Sequence, residues 1–218
     1  MLALRRYSVI EEKEGKCMRI GIFGGTFDPP HIGHLLLAQE AMEKAELERL
    51  VFIPCGNPPH KDGGAVTDSA YRLEMVRRAI CDNPSFELSD METKSDSPSY
   101  TAKTLERLSD AHPNDTLCFI VGADSLCEME TWFCPQRIFD QAEIIAAARG
   151  GANEAELEEA ALRLRGKYGA RITLIRMNVI ELSSSEIRQR IADGKSTRYM
   201  LLPCVREYIK EKGIYAKR

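Results

Sequence analysis

The sequence has no long apolar run. A membrane-spanning helix needs about 18–20 consecutive apolar residues, and no such stretch occurs in the 218 residues. Charge of one sign is also missing. The 30 Lys and Arg residues stand against 33 Asp and Glu, a net charge of −3, so no basic field points to nucleic acid or to a membrane surface. The first residues hold no apolar core of about 7–15 residues of the kind a secretory signal requires. There is no C-x-x-C pair. None of the seven cysteines (Cys17, Cys55, Cys81, Cys118, Cys127, Cys134 and Cys204) sits at zinc-ligand spacing beside a histidine pair. An odd, scattered set of this kind reads as free thiols in a reducing cytoplasm, with Cys118 in an apolar run and so in the core. Repeats and low-complexity tracts are absent. Hydrophobic residues make up 44% and charged residues 29%, the composition of a globular domain rather than a disordered, collagenous or disulfide-stapled chain.

What is present is an alternation of strand and helix patterns. Arg19 to Phe23 reads as a buried strand ended by Gly24–Gly25, and Ile32 to Ala45 as a helix with Leu35, Ala38, Met42 and Ala45 on one face. Leu50 to Pro54 is the second strand, Ser69 to Cys81 a helix with Asp68 as N-cap, and Phe86 to Leu88 a short strand. Thr101 to Ala111 is helical, Thr116 to Val121 is the clearest strand, and Glu143 to Ala148 is another. Glu154 to Lys167 is an amphipathic helix, Arg171 to Ile175 a strand. Helices from Ser183–Ser185 to Ala192 and from Pro203 to Lys212 end at Gly194 and Gly213. Crossovers of this length join parallel strands, which gives an α/β, Rossmann-like, doubly wound and mostly parallel sheet with helices on both faces. Residues 18–218 read as a single domain. Residues 1–17 read as an extension, either a start upstream of a natural Met18 or a disordered tail.

Ligands of such sheets sit beyond the carboxyl ends of the strands, and four chemistry-bearing segments fall there. The first, GGTFDPPHIGH from Gly24 to His34, joins a strand to a helix. Its glycines remove side chains where a ligand approaches, and the helix start offers N–H groups and a positive dipole end to a phosphate. His31 and His34 lie three apart, on one side of a helical turn, and donate to phosphate oxygens or serve as structural imidazoles. No G-K-[ST] and no G-x-G-x-x-G is present, so this is neither a Walker A loop nor a dinucleotide fingerprint. The second segment is NPPHK, Asn57 to Lys61, in a long loop after the second strand. Two prolines stiffen it, and Lys61 brings positive charge or is merely exposed. The third combines Tyr100–Thr101 at a helix start, Gly122–Ala123–Asp124 after the strongest strand, and Trp132. That ring either stacks on a ligand or packs in the core. The fourth, LSSSEIR from Leu182 to Arg188, opens a helix with cap-forming serines. Ser183 to Glu186 also fits the S-x-x-E capping box.

GGTFDPPHIGH resembles the nucleotide-binding motif of the nucleotidyltransferase superfamily, whose hallmark is H-x-G-H. In its full form it is similar to the bacterial nicotinate-nucleotide adenylyltransferases. The P-P-H-K loop, the Y-T, G-x-D and Trp residues in that order, and the second motif, with Leu182 in place of isoleucine, extend the likeness from Met18 to about Tyr215. The resemblance implies adenylyl transfer from ATP to nicotinate mononucleotide, giving nicotinate adenine dinucleotide and pyrophosphate. It implies ATP contacts at Gly24, Gly25, Thr26, Phe27, His31, His34, Gly122, Asp124, Ser184, Ser185 and Arg188. Mononucleotide contacts fall at Asn57, His60, Lys61, Arg72, Tyr100, Thr101 and Trp132, with Trp132 stacking on the pyridine. His31, His34, Lys61 and Arg188 stabilise charge, and as the local positive groups they offset the acidic average. Mg²⁺ is expected, held mainly by the ATP phosphates and water, with no protein metal site. Asp28 shapes the turn or lies near the metal. The alternatives are transfer to another phosphorylated acceptor, such as phosphopantetheine, and a non-catalytic nucleotide sensor. HIGH at 31–34 also resembles class I aminoacyl-tRNA synthetases, but no K-M-S-K-S loop accompanies it. The expected partners are the two substrates, with no nucleic acid or membrane and with a homo-oligomer left open.

Overall fold

The computed structural model describes residues 17–57, 66–94, 98–149, 154–177 and 182–216. His60 and Lys61, and the extension before Cys17, lie outside the described residues. Six strands, β1 (Arg19–Gly25), β2 (Arg49–Pro54), β3 (Phe86–Leu88), β4 (Thr116–Gly122), β5 (Glu143–Arg149) and β6 (Ile172–Met177), form one sheet in the order β3-β2-β1-β4-β5-β6. Every pairing is parallel. The chain runs outward from β1 to one edge, returns, and runs to the other edge from β4. The switch point between β1 and β4 is where such sheets open a crevice for ligands.

Among the described residues there are eight α-helices: α1 (Ile32–Lys44), α2 (Ser69–Ile80), α3 (Thr101–Ala111), α4 (Ala123–Glu128), α5 (Pro135–Gln141) and α6 (Glu154–Tyr168) connect the strands, and α7 (Ser184–Ala192) and α8 (Pro203–Lys212) follow β6. Side chains of a strand alternate between faces, and the core divides accordingly. Leu50, Phe52, Cys118, Ile120 and Ile145 pack under α1, α2, α7 and α8. Ile20, Ile22, Val51, Ile53, Phe119 and Ile144 pack under α3 to α6. The side chains of interior parallel strands are covered on both faces, which is why these segments read as continuous apolar runs.

Two stretches differ from the sequence expectation. β1 continues through Gly24 and Gly25, because β2 continues beside it and pairs Ile53 with Gly24 and Pro54 with Gly25. The segment after Gly122, where no helix was expected, forms α4, a 3₁₀ turn at Met129–Thr131 and then α5. These pieces are too short to show a helical period, and Cys134 interrupts them. It takes a left-handed φ of 50°, and Pro135 then restarts the helix at its first position. Asp68 caps α2 as expected, its carboxylate accepting the Ala70 N–H at 2.8 Å.

Candidate functional site

β1 delivers the turn from Thr26 to His31 to the switch point. Phe27 takes a left-handed φ of 50°, and its ring is 2% exposed. It packs 5.4 Å from Phe23, 5.7 Å from Phe52 and 5.2 Å from His34, centroid to centroid. A Cβ on Gly25 would come within 3.0 Å of this ring, so the glycine makes room for the aromatic rather than for a ligand. The expectation that Phe27 lines the nucleotide site is corrected to this extent: its ring belongs to the core, and only its backbone can line the turn. Gly24 has ordinary clearance, with Phe119 at 3.5 Å from a built Cβ.

The two histidines are brought together. His31 is the N-cap of α1, and its N–H donates to Nδ1 of His34 at 3.2 Å. The ring centroids lie 3.7 Å apart. Accepting at Nδ1 leaves neutral His34 with its proton on Nε2, the tautomer that can donate to a ligand. His31 is 7% exposed, and its Nδ1 is buried without a hydrogen-bond partner. Burial lowers the His31 pKa to about 4. Burial, and then the neighbouring His31, holds His34 well below the usual histidine range. Both imidazoles are therefore neutral at pH 7. They supply N–H donors, not the net positive charge assigned to them from sequence.

α7 closes over the same turn. Ser183 is its N-cap, with Oγ accepting the Glu186 N–H at 3.1 Å. The Ser184 hydroxyl donates to the Pro29 carbonyl at 2.9 Å. Arg188 donates from Nη1 to the Asp28 carbonyl at 2.7 Å and from Nη2 to the Ser185 hydroxyl at 3.2 Å. The guanidinium has five N–H groups, so two bonds within the protein fix its plane and leave donors for an anion. The three serines thus divide their work: Ser183 caps the helix, Ser184 ties it to the turn and Ser185 orients Arg188.

Asp28 is 2% exposed. One carboxylate oxygen accepts from the Tyr215 hydroxyl and the other from the Thr67 N–H at 3.2 Å. Its role is to organise the turn. Tyr215 is a residue that sequence reasoning missed, because no local pattern links it to a residue so far away in the chain.

Arg72 was expected at the mononucleotide. It is 1% exposed and donates to three backbone carbonyls: Thr26 at 2.9 Å, Thr67 at 2.8 Å and Gly56 at 3.1 Å. The structure corrects that assignment. Arg72 is a brace that joins the β1 turn to both bases of the loop carrying His60 and Lys61. Gly56 is required there, because a Cβ would fall 2.2 Å from the Glu92 carbonyl oxygen. The exposed Asn57 accepts the Ser99 N–H through its carbonyl at 3.0 Å.

At the end of β4 a Cβ on Gly122 would meet nothing within 4 Å, so the glycine leaves open space beside the exposed Asp124. Tyr100 caps α3 and Thr101 begins it. Thr104 Oγ1 donates to the Glu92 carboxylate at 2.6 Å, and burial raises the Glu92 pKa. Trp132 is half-buried, edge-on to Phe119 with centroids 6.2 Å apart. Its neighbour Phe133, 43% exposed, stacks 4.5 Å from Tyr100. Lys103 Nζ lies 5.3 Å from the Tyr100 ring and 5.8 Å from Phe133. The aromatic surface open to a ligand includes Phe133, which sequence reasoning passed over as a mere break in regularity. The signal available was its place beside Trp132.

Comparison with known proteins places this geometry. A family model described as Cytidylyltransferase-like matches residues 22–190. A curated protein of Exiguobacterium sibiricum, named "Probable nicotinate-nucleotide adenylyltransferase", is 42% identical over 199 residues, covering 91% of this chain and 100% of its own. One of the same name from Caldicellulosiruptor bescii is 42% identical over 200 residues, covering 92% and 100%. The chain belongs to the nicotinate-nucleotide adenylyltransferase family. The family's fold is also seen in the Plasmodium falciparum nicotinic acid mononucleotide adenylyltransferase. Its complex with NaAD superimposes with a TM-score of 0.75 and its complex with APC with 0.73, each at 20% identity over 91% of this chain and 97% of that one. At that identity the likeness carries the fold: a six-stranded parallel Rossmann-like sheet with its switch point at β1 and β4.

Proposed function

We propose that this chain transfers the adenylyl group of ATP to nicotinate mononucleotide, releasing pyrophosphate and forming nicotinate adenine dinucleotide. The observation that carries the reading is the pair of neutral, touching imidazoles at the start of α1, set against the same turn that holds the Arg188 guanidinium. In the reaction a phosphate oxygen of the mononucleotide bonds to the α-phosphorus of ATP. The bond from that phosphorus to the bridging oxygen breaks on the opposite side, and pyrophosphate leaves with the electron pair. The attacking oxygen is already anionic, so no base is needed. Catalysis is positioning and stabilisation of charge on the non-bridging oxygens. His34 Nε2–H and the Arg188 guanidinium donate to those oxygens, and His31 orients its neighbour. Lys61 adds charge from the second loop. Thr101, at the start of α3, and the Tyr100–Phe133 surface with Trp132 receive the nicotinate ring, where backbone N–H donors favour a carboxylate over a carboxamide.

Mg²⁺ enters this reading as the counter-ion of the ATP phosphates. Among the described residues no group of three or more His, Cys, Asp or Glu side chains is placed to hold a metal, and the Asp28 carboxylate is engaged by Tyr215 and Thr67. The reading gives the ion to the ATP phosphates and water, which needs no protein cage. Chelation of free Mg²⁺ is expected to abolish turnover and its restoration to recover it. The cysteines are free thiols, and no helix among the described residues is long and apolar enough to cross a membrane. The free thiols support a place in a reducing cytoplasm.

The deciding experiment measures pyrophosphate release with ATP and a panel of phosphorylated acceptors, nicotinate and nicotinamide mononucleotides among them. Release with the nicotinate form, well above that with the nicotinamide form, is expected. Release only with a different acceptor, or with none, would overturn the reading.

A further inference from the structure

We propose that Tyr215 is a positioning residue for the nucleotide site, acting through Asp28 on Arg188. The inference rests on the adenylyl-transfer reading above for the role of Arg188. α8 ends at Gly213, which takes a left-handed φ of 63°, and the Ile214 N–H turns back to the Ile209 carbonyl at 3.0 Å. That reversal seats Ile214 in the core and brings the Tyr215 hydroxyl onto the Asp28 carboxylate. Tyr215 itself is held at a left-handed φ of 66°, a conformation that a non-glycine residue keeps only where surrounding contacts impose it. Asp28 is the junction. Its side chain takes Tyr215 and the Thr67 N–H, and its main-chain carbonyl takes the Arg188 guanidinium. One buried residue thus converts the placement of the chain after α8 into the placement of a cation at the phosphate turn. Removing the hydroxyl leaves a buried carboxylate oxygen short of a partner. The turn relaxes, and Arg188 loses the carbonyl that orients it.

The test combines Tyr215→Phe with Arg188→Ala in a double-mutant cycle. Two readouts are taken, ATP affinity by calorimetry and steady-state kinetics, with melting curves for each variant. Tyr215→Phe is expected to lower kcat/KM for ATP about tenfold while the mononucleotide KM stays within about twofold. In the Arg188→Ala background the same substitution should change ATP affinity by less than about twofold. Additive effects, or equal losses toward both substrates that track a fall in melting temperature, would show a structural residue only and overturn the proposal. If Tyr215→Phe fails to fold, Asp28→Asn, of equal volume, takes its place in the same cycle with the same expectations. Wild-type protein that binds ATP but releases no pyrophosphate would sink the adenylyl-transfer reading, and the cycle in ATP affinity would still decide this one.

Discussion

The His31 N–H donates to Nδ1 of His34 at 3.2 Å, and this bond commits the neutral second imidazole to carrying its proton on Nε2. On the proposed reading the helix cap and the phosphate donor are one device. His34→Ala is expected to cost about 10²–10³ in kcat, the usual loss for a transition-state donor. The folded state should lose only about 1 kcal/mol, as for a helix cap. Kinetics and a melting curve on the same preparation check this, and near-normal turnover would remove His34 from the mechanism.

The neutrality of the pair makes a pH prediction. In the unfolded chain a histidine takes up a proton near pH 6.5, whereas folded His31 does so only at about 4. Between those values the unfolded state binds more protons, so stability is present in full above pH 6.5 and falls as pH drops toward 4. His31 alone accounts for about 3 kcal/mol across that window, and the lowered His34 acts in the same direction. Denaturant titrations at pH 7.5 and 4.5 should show the loss, and His31→Gln should show a smaller one. An identical loss in the variant would exclude His31 as its source.

Arg72 should behave as a brace. Arg72→Lys keeps the charge but cannot reach three carbonyls on three segments, and leaves buried acceptors unsatisfied. A loss of about 2–4 kcal/mol of stability is expected, visible as a lower melting temperature without ligand. A variant that melted like the wild type and differed only in mononucleotide KM would restore Arg72 to the role of substrate contact.

Two glycines offer a contrast. Gly56→Ala drives a Cβ to 2.2 Å from backbone oxygen and should destabilise the free protein. Gly122→Ala meets open space and should leave the melting temperature unchanged while raising the KM for ATP. Unfolding data and kinetics on both variants separate a glycine kept for packing from one kept for a ligand. A KM unchanged in Gly122→Ala would place the nucleotide elsewhere.

Much of this was legible in the sequence. Buried parallel strands write themselves as apolar runs, so β2, β3 and β4 were found within a residue or two, and α3 and α8 at their observed bounds. The motif at 24–34 was placed at the carboxyl end of a strand, where such sheets bind ligands. What stayed hidden depends on tertiary surroundings. The charge state of His31 is set by burial. The partner of Asp28 comes from the far end of the domain, and the destination of Arg72 is three main-chain oxygens that leave no trace in residue type. α4 and α5 escaped because six or seven residues show no period, and Phe133 because, with Pro135, it read as a break in regularity.

β1 carries a further consequence. Ile22 pairs with Val51 on one side and with Phe119 on the other, and the turn that follows is held by α7. On the proposed reading no contiguous fragment of the chain presents the nucleotide site, so ATP would recognise only the finished fold. ATP should accordingly protect the protein against unfolding by mass action, about 1.4 kcal/mol for each tenfold rise in concentration above its Kd. The substrate thereby becomes a probe of whether the fold is complete.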